Sequence, residues 1–542
     1  MGQIDRRCGV RARLLILVAL SATLLGVASR PAEASEVSEH IRARLEAAGH
    51  GAPVTALGTP LRATVTLSRV YRARQHAPLW TPERIDALRR AVEDALAHGL
   101  HPTRYAADRL EATRRTDGDP LRAADRDLAA SDVFALLAAD LGGGRVHRAT
   151  VDTEWHARRD DVDVPAAFLA LEQGTVADVL AALLPREPGY ARLVAALARL
   201  RAIPAEDWPA VDPELRLDLG ADGPDVRTVR RRLQATGDLA AGPAPPHWDE
   251  ALTQALAAFQ TRHGLTPTGA VGPATAGALA VSRDHRIAQI EANLERWRWL
   301  PQEFGARSIV ANIAAFSLTG RSPGQEPITM RVVVGRPYRR TPVFSGRMTY
   351  LVINPTWTVP PGILAADVLP AIRRDVSYLA KKRMVVYEGW GADARVVDPR
   401  TADWSKASGK GPYRIVQAPG PDNALGIVKF MFPNPYNVYL HDTPSKEGFA
   451  ADDRAFSSGC IRLSEPAALT EWVLAGQPEG RPDTLKRLFA AGTERTVTLA
   501  KPVQVHLLYW TTWVDDAGTL QIRKDVYDRD GRLIAALAAT AP

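Results

Sequence analysis

The spacing of apolar residues divides this chain of 542 residues into a helical part and a β-rich part. From about residue 35 to residue 200, apolar residues recur at three-and-four spacing, as in 84–99 and 121–141, which predicts amphipathic helices. From residue 308 onward the period shortens to two and β-branched residues increase, as in 350–357, which predicts strands. We therefore expect at least two structurally different domains.

A shorter unit with its own pattern lies between these parts, at residues 215–282. Two helices with one apolar face each are predicted, and a third begins at Pro273. The faces of the first two are formed by Val226, Val229 and Leu233, and by Leu252, Leu256 and Phe259. A Pro-rich insertion, 240–247, separates them. The residues alone leave open whether this module binds a ligand or is purely architectural.

The first 34 residues have the pattern of an export signal. A basic start is followed by an apolar run, 14–28, and by the small residues of Ala32-Glu33-Ala34, which suit a cleavage site. The run is short for a membrane span. A cleaved signal peptide and a retained inner-membrane anchor are the alternatives, and both place the rest of the chain in the periplasm.

Charge and cysteine content narrow the function further. The formal net charge is +7, and removal of residues 1–34, which hold five Arg and two acidic residues, leaves +4, a mildly basic balance that suits an anionic envelope polymer. No dense basic stripe with interleaved aromatics points to nucleic acid. Of the two cysteines, Cys8 lies in the export segment, so Cys460 has no partner for an internal disulfide. A lone exported thiol is either inert or kept for chemistry. No Cys/His cluster suggests a metal, and no cofactor is expected.

His441 and Cys460 together indicate that the thiol is catalytic. His441 ends an apolar predicted strand, and the loop 442–456 is long enough to return the chain so that Cys460 faces it. A thiol needs a base or a cation to become a nucleophile at neutral pH, and an imidazole supplies one. This pair predicts a cysteine acyl-transfer site.

Three residues near the pair are predicted to assist it. The backbone N–H groups of Gly459 and Cys460 are expected to form an oxyanion hole. Tyr439 lies two residues before His441 on the same strand face, so its hydroxyl is a further donor. Arg462 is expected to hold a substrate carboxylate or to brace the site, and Ser458 lies in the small, flexible stretch 457–459 before the cysteine.

The segments HDTP, 441–444, and SSGCIR, 457–462, resemble the L,D-transpeptidase catalytic domain of the YkuD type. Ser458 stands where many members have His, which resembles the large, YcbB-like branch, as do the segments 354–364 and 419–444. The three-helix module resembles a peptidoglycan-binding domain. Its insertion, 240–247, departs from that pattern and puts the wall-binding groove in doubt.

The resemblance implies a multidomain α+β protein. A helical scaffold domain and the three-helix peptidoglycan-binding domain would precede a mostly-β, YkuD-like catalytic domain with an inserted capping subdomain. The boundaries that we expect are 1–34 for the signal or anchor, 35–210 for the scaffold, 215–282 for the peptidoglycan-binding domain, 283–304 for a linker helix, 305–525 for the catalytic domain with its cap at about 360–420, and 526–542 for a C-terminal tail.

The activity that the resemblance implies is 3→3 cross-linking of peptidoglycan. Cys460 would attack a tetrapeptide stem and release D-Ala, His441 would act as base and then acid, and the side-chain amine of a second stem would accept the acyl group. Ser458 and Arg462 would position the substrate or the thiol–imidazole pair. Carbapenems would acylate Cys460. The alternatives are a carboxypeptidase or endopeptidase, attachment of a protein to the wall, and a non-catalytic wall-binding protein.

Overall fold

The computed structural model describes residues 31–48, 53–106, 110–111, 118–408 and 411–539. Residues 1–30, which carry most of the predicted export signal, lie outside the described residues. Among the described helices, none has the length and apolar character needed to span a membrane.

The N-terminal part is helical, as its apolar spacing predicts. Its elements are α1 (Pro31–Ala48), β1 (Thr55–Ala56), β2 (Thr59–Pro60), α2 (Thr64–Ala73), α3 (Pro82–Asp94), α4 (Pro120–Gly143), α5 (Arg148–Val151), α6 (Val164–Ala170), α7 (Val176–Ala182) and α8 (Pro188–Arg201), with 3-10 turns at Ala95–His98, Pro102–Tyr105 and Ala205–Asp207. Helices α1 to α4, α6 and α7 surround one apolar core, which includes Tyr71, Leu88 and Phe134. Gly99 ends the helical stretch after α3 with a φ of 75°.

The second module has the three predicted helices, α9 (Pro224–Ala235), α10 (Glu250–Arg262) and α11 (Pro273–Ala280). Val226, Val229, Leu252 and Leu256 are fully buried, as the spacing predicts. Asp249 caps α10 by accepting a hydrogen bond from the Leu252 N–H. Burial of one face of each helix in a common core explains why so small a unit folds.

Helix α12 (Arg283–Arg298) leads into the β-rich domain. Its strands are β3 (Ser308–Asn312), β4 (Ser317–Ser322), β5 (Gln325–Gly335), β6 (Phe344–Ile353), β11 (Val428–Met431), β12 (Leu440–His441), β13 (Ala455–Ser457), β14 (Ile461–Leu463), β15 (Arg495–Leu508), β16 (Thr512–Val514) and β17 (Leu520–Ile522). Its helices are α16 (Pro466–Val473), α17 (Pro482–Ala490) and α18 (Asp530–Ala539), and its 3-10 turns are Glu447–Ala450 and Pro478–Gly480.

Nine of the described strands form one sheet in the order β13-β5-β14-β12-β11-β6-β15-β3-β4. Strand β4 also pairs with β5, so the sheet closes on itself from β5 to β4. The pairs β12–β14, β13–β5 and β15–β3 are parallel. The short strand β12 therefore lies inside the sheet, between β11 and β14, and its end is held on both sides.

The predicted cap is a separate small subdomain inserted between β6 and β11. It consists of β7 (Trp357–Thr358), α13 (Pro361–Ile363), a π-helical turn (Leu364–Val368), α14 (Leu369–Arg374), α15 (Ser377–Lys381), β8 (Met384–Glu388), β9 (Arg395–Val397) and β10 (Tyr413–Gln417). The strands form a sheet in the order β7-β10-β8-β9. Its apolar cluster runs from Trp357 to Leu425, so the insertion packs around a core of its own.

Packing differs from the expected boundaries in two places. Helix α8, which we assigned to the scaffold, contributes Leu193 and Leu197 to the core of the β-rich domain. The segment 526–542, which we expected to be a tail, contains α18, and Tyr527 and Leu533 are buried in the same core. Sequence spacing reports that a helix has an apolar face, but not which neighbour covers that face.

Helix α12 carries a buried ion pair that joins the scaffold to the β-rich domain. The Arg298 guanidinium donates to the Glu295 carboxylate at 2.7 Å, and both side chains are at most 1% exposed. The Val146 N–H donates to the same carboxylate at 2.8 Å. Arg298 also donates to the His98 carbonyl at 3.0 Å.

We expect Glu295→Ala to lower the free energy of unfolding by about 3–5 kcal/mol, because it leaves the Arg298 charge buried and unpaired. Glu303→Ala is the control. Glu303 pairs with Arg186 at the surface, where both side chains are more than 60% exposed, and an exposed pair contributes about 0–1 kcal/mol. Denaturant titration followed by tryptophan fluorescence measures both values. Equal losses in the two variants would contradict the role of the buried pair.

Candidate active site

The parallel strands β12 and β14 bring the predicted base and nucleophile to one edge. Leu440 pairs with Ile461 and His441 with Arg462. The Ile461 N–H donates to the Tyr439 carbonyl at 3.1 Å, so Cys460, just before β14, lies beside Tyr439. Cys460 and His441 line one cavity of about 700 Å³ between the sheet and the cap.

The ring of His441 is held as a neutral base. Its Nδ1 lies 2.5 Å from the Asp442 carbonyl oxygen. A carbonyl only accepts, so Nδ1 carries the proton and Nε2 keeps its lone pair. Burial and the charges of Arg462 and Lys429 together lower the pKa of His441 to about 3, although the hydrogen bond to the Asp442 carbonyl opposes the shift. The ring is therefore ready to accept a proton at Nε2.

The Asp442 carboxylate does not orient the imidazole, because it has other partners. It accepts from the Ile427 N–H at 2.9 Å and from Lys446 Nζ at 2.6 Å. A Cβ on Gly426 would lie 2.1 Å from this carboxylate, and Gly426 has a φ of +60°. Glycine is thus required there by both space and backbone conformation. The contact fixes the turn that carries the Asp442 carbonyl to His441.

The Cys460 thiol is half-buried and points at a backbone carbonyl. Its Sγ lies 3.7 Å from the Asn437 oxygen, to which it donates. Asn437 has a φ of 55°, a left-handed conformation that Asn tolerates better than most residues. Within the described part of the chain, no hydrogen bond joins Sγ to His441. A rotation of the thiol away from Asn437 is needed before a proton can pass to Nε2.

Opposing effects set the ionisation of this thiol. The pKa of Cys460 is raised above its ordinary value, because burial outweighs the Tyr439 backbone N–H and hydroxyl and the charges of Lys429 and Arg462, all of which lower it. The same burial raises the pKa of Tyr439 well above its ordinary value, and the Cys460 charge adds to this. The Tyr439 hydroxyl therefore stays protonated and can donate to the thiolate or to an oxyanion.

Lys429 is a functional candidate that the sequence reasoning missed. It lies on β11 directly opposite His441, and its ammonium lies 4.0 Å from the centroid of the Tyr439 ring. Lys429 is half-buried and, among the described residues, has no ion pair. Burial lowers the pKa of Lys429, and the Cys460 charge raises it. The signal in the sequence is a lysine inside the apolar strand 428–431, because a charged side chain is rarely buried unless it has a partner or a function.

The turn before the cysteine is closed by Ser457. Its hydroxyl donates to the Cys460 carbonyl at 2.6 Å and accepts from the Gly459 N–H at 3.1 Å. Thr341 Oγ1 donates to the Gly459 carbonyl at 2.8 Å. Gly459 is buried with a φ of +115°. The Gly459 amide, predicted as an oxyanion donor, is thus already engaged, and serving that role would require breaking the bond to Ser457.

Ser458 connects the nucleophile turn to the cap. It is exposed at the cavity, and its hydroxyl accepts from Arg339 Nη1 at 2.9 Å. The same nitrogen lies 3.1 Å from the Asp367 carboxylate of the cap. Arg339, which sequence reasoning also missed, is therefore the residue through which cap and turn contact each other at this side of the cleft.

Arg462 lies at the cavity beside His441, where the prediction placed a substrate-holding cation. It is half-buried, and its Nε has no hydrogen-bond partner. Burial lowers the pKa of Arg462, and the neighbouring charge of Arg336 acts in the same direction. In the described ranges, Arg462 forms no ion pair. Its predicted role of holding a substrate carboxylate stays a prediction.

No group of side chains in the described residues has the composition of a metal site. The cavity holds four cationic side chains, Arg336, Arg339, Lys429 and Arg462, and one carboxylate, Asp367. The arrangement combines a thiol, a neutral base, hydroxyl and amide donors and fixed positive charge. It suits covalent acyl transfer on an anionic substrate.

Comparison with known families agrees with this chemistry. Residues 306–486 match the YkuD family, described as the L,D-transpeptidase catalytic domain. Residues 222–279 match a family described as "Putative peptidoglycan binding domain", and residues 65–197 match a family described as "Scaffold domain". The chain therefore carries a YkuD-type L,D-transpeptidase catalytic domain preceded by a scaffold and a peptidoglycan-binding domain.

A protein of Haemophilus influenzae named "Putative L,D-transpeptidase" is 32% identical over 258 residues. The match covers 47% of this chain and 51% of that protein, so the chain spans about half the length of the relative that it matches. A solved L,D-transpeptidase from Mycobacterium smegmatis is 16% identical, with 37% of this chain and 58% of that chain covered and a TM-score of 0.17. A superposition that poor supports no argument.

We expect the His441 ring to stay neutral in the folded protein at pH 5. Because its folded pKa is lowered to about 3, the unfolded chain binds the extra proton between about pH 6.5 and pH 3, and acidification through this window destabilises the fold. Ring nitrogen shifts of 15N-histidine-labelled protein report the charge, and the same sample in urea is the control. A folded midpoint near 6.5 would contradict a buried neutral base.

We expect Lys429→Gln to move the alkylation profile of Cys460 to higher pH by roughly one unit, because loss of a nearby cation raises the thiol pKa. Iodoacetamide modification of the Cys460 peptide, followed by mass, measures the rate against pH. Lys429→Arg keeps the charge and should restore the profile, and Lys524→Gln removes a lysine that is 80% exposed. An unshifted profile in Lys429→Gln would remove Lys429 from the site.

Proposed function

We propose that this protein is an L,D-transpeptidase that forms 3→3 peptidoglycan cross-links through a thioester on Cys460. The observation that carries the proposal is that a thiol and a neutral imidazole line the same cationic cavity of a YkuD-type domain, and that Nε2 of this imidazole is unprotonated. The comparisons establish the L,D-transpeptidase family of that domain, and the steps below are our inference from the geometry.

In acylation, the Cys460 proton moves to His441 Nε2, and the thiolate attacks the carbonyl carbon of the third residue of a tetrapeptide stem. The resulting oxyanion accepts hydrogen bonds from the Cys460 N–H and the Tyr439 hydroxyl. The carbon–nitrogen bond to the terminal D-Ala then breaks. His441 returns its proton to the leaving amine, which leaves a thioester and a neutral imidazole.

In deacylation, the side-chain amine of a second stem attacks the thioester carbonyl and passes a proton to His441. The carbon–sulfur bond breaks, and the sulfur takes the proton back from His441. The product is a 3→3 linked dimer, and both side chains return to their starting states. Water in place of the amine would give a carboxypeptidase, so the nature of the product separates the two activities.

The charge of the cleft supports a peptidoglycan stem as donor. A tetrapeptide stem is anionic because it carries free carboxylates, and the cleft has four cations against one carboxylate. Arg462, with its unpartnered Nε, is placed to hold a stem carboxylate beside the nucleophile, and Ser458 and Arg339 position the donor at the cap side. The peptidoglycan-binding domain would hold the strand, and such a substrate requires export to the periplasm.

Carbapenems fit the same proposal as inhibitors. Their strained amide carbonyl would be attacked by the Cys460 thiolate as the stem carbonyl is, and the ring-opened acyl group would remain on sulfur. The adduct adds the mass of the whole drug to the peptide that contains Cys460. Its formation reports nucleophilicity without requiring the natural substrate.

We expect the protein to release D-Ala from tetrapeptide muropeptides and to form 3→3 dimers, whereas Cys460→Ala forms neither. His441→Gln should lose about 10²–10⁴-fold in rate, the usual contribution of a general base. Liquid chromatography with mass spectrometry of the muropeptides measures both products. Ser445→Ala, on the loop after His441 and outside the cavity, is the control for substitution nearby and should keep full activity.

Dimers formed equally by Cys460→Ala would contradict the covalent mechanism. D-Ala release without dimers, under conditions with excess acceptor stem, would instead assign the site to a carboxypeptidase. Circular dichroism of each variant confirms that loss of product is not loss of fold.

A further inference from the structure

A second cavity, distant in sequence from the catalytic residues, lies where three units of the protein meet. Its volume is about 510 Å³. The peptidoglycan-binding module contributes the C-terminal ends of α9 and α10, the scaffold side contributes α8, and the catalytic domain contributes the hairpin β16–β17. The volume is in the range of small-molecule sites, which are commonly formed at domain junctions.

The walls of this cavity carry an excess of positive charge. Four guanidinium groups line it, those of Arg199, Arg232, Arg262 and Arg286, against the single carboxylate of Asp238. That carboxylate is fully used by Arg262, whose Nε and Nη2 donate to it at 2.6 and 2.5 Å. The remaining three cations have no carboxylate partner within the described chain.

Arg232 is the most deeply buried of these cations, at 2% exposed. It donates to the Val281 carbonyl at 2.5 Å and stacks over the Trp208 ring at 3.6 Å, but its Nε has no partner. Arg286, at 8% exposed, donates only to neutral oxygens, those of Gln289 and Ala278. Burying a charge against neutral groups costs free energy that an anion in the cavity would offset.

Mutual repulsion of these cations also favours an anion in the cavity. Burial lowers the pKa of Arg232, and the charges of Arg286 and Arg262 lower it further. A guanidinium remains protonated in proteins, so the repulsion is not relieved by loss of a proton. Apolar side chains, among them Leu200, Ile290 and Leu520, form a large part of the remaining wall, beside neutral polar ones such as Gln234 and Thr519. A fitting ligand therefore combines an oxyanion with an apolar part.

We propose that this junction cavity is a binding site for a small ligand that carries a carboxylate or phosphate group. The oxyanion would lie against Arg232 and Arg286, and Arg199, exposed at the cavity, would attract it. The site is separate from the Cys460 cleft and does not depend on the proposed reaction. A bound ligand would contact the peptidoglycan-binding module, α8 and the catalytic hairpin together, and would thereby hold the three units in one arrangement.

Isothermal titration calorimetry of the full protein tests the site with two probes. Inorganic phosphate represents phosphate groups, and the stem tripeptide, which lacks the terminal D-Ala and cannot act as donor, represents wall carboxylates. We expect at least one probe to bind, with affinity reduced tenfold or more in Arg232→Gln, because charge-assisted hydrogen bonds are lost. Binding of phosphate alone, or of the tripeptide alone, identifies the source of the oxyanion.

Matched variants distinguish binding at this site from non-specific electrostatic attraction and from loss of the fold. Arg199→Glu alters an exposed residue, so it keeps the fold and should weaken binding by placing a carboxylate at the cavity. Arg231→Gln and Arg231→Glu make the same charge changes at an exposed neighbour of Arg232 that does not line the cavity, and should bind as the wild type does. Absence of binding of both probes, or equal weakening in the Arg231 variants, would overturn the proposal.

Discussion

The parallel pairing of β12 with β14 is the constraint on which the site depends. It joins two segments that are about twenty residues apart in the chain and fixes His441 opposite Arg462, two residues beyond Cys460. Neighbouring strands lie about 4.8 Å apart, so side chains that leave the same edge share one cavity. Strand β12 is also held by β11 on its other side. A base that must be positioned to within a fraction of an ångström is thus placed inside the sheet instead of on a loop.

In this site, different residues provide the positive charge and the base. In many thiol–imidazole pairs the imidazolium itself stabilises the thiolate. Here burial keeps His441 neutral, and Lys429 and Arg462 provide fixed charges whose effect on the thiol is to lower its pKa. A neutral imidazole can accept a proton, while the charges of Lys429 and Arg462 favour the thiolate form of Cys460. The same cations lower the pKa of His441, which keeps the ring neutral but also makes it a weaker base.

Much of this arrangement could be predicted from the sequence, and the failures have physical causes. The three-helix module and the period-two strands follow from local spacing, the inserted cap follows from the family resemblance, and the structure contains all three. The sequence also predicts one cavity for Cys460, His441, Tyr439 and Arg462, because these residues lie at the ends of predicted strands. Local pattern does not report pairing between distant strands, so Lys429 was missed.

Side-chain hydrogen bonding was the other information that the sequence lacked. The small residues before Cys460 suggested a flexible turn with two free amides. In the structure Ser457 closes that turn and engages the Gly459 amide. Which of several serines lies within reach of a given amide depends on the turn geometry, and a run of small residues permits many geometries. The roles of Gly459 and Ser458 in catalysis remain predictions.

Helix α12 shows why the separate units keep a fixed relation to the catalytic cleft. Its buried polar side chains contact residues on either side: Gln289 and Arg296 donate to the Asp530 carboxylate of α18, and Asn293 donates to Thr511 Oγ1. Buried charges contribute little net stability, but each must find its own partner, and a shifted helix would leave them unpaired. Apolar contacts alone would tolerate such a shift. On the other side of the helix, Arg298 donates to the His98 carbonyl of the scaffold. The polar contacts of α12 therefore fix the register between the scaffold and the catalytic sheet.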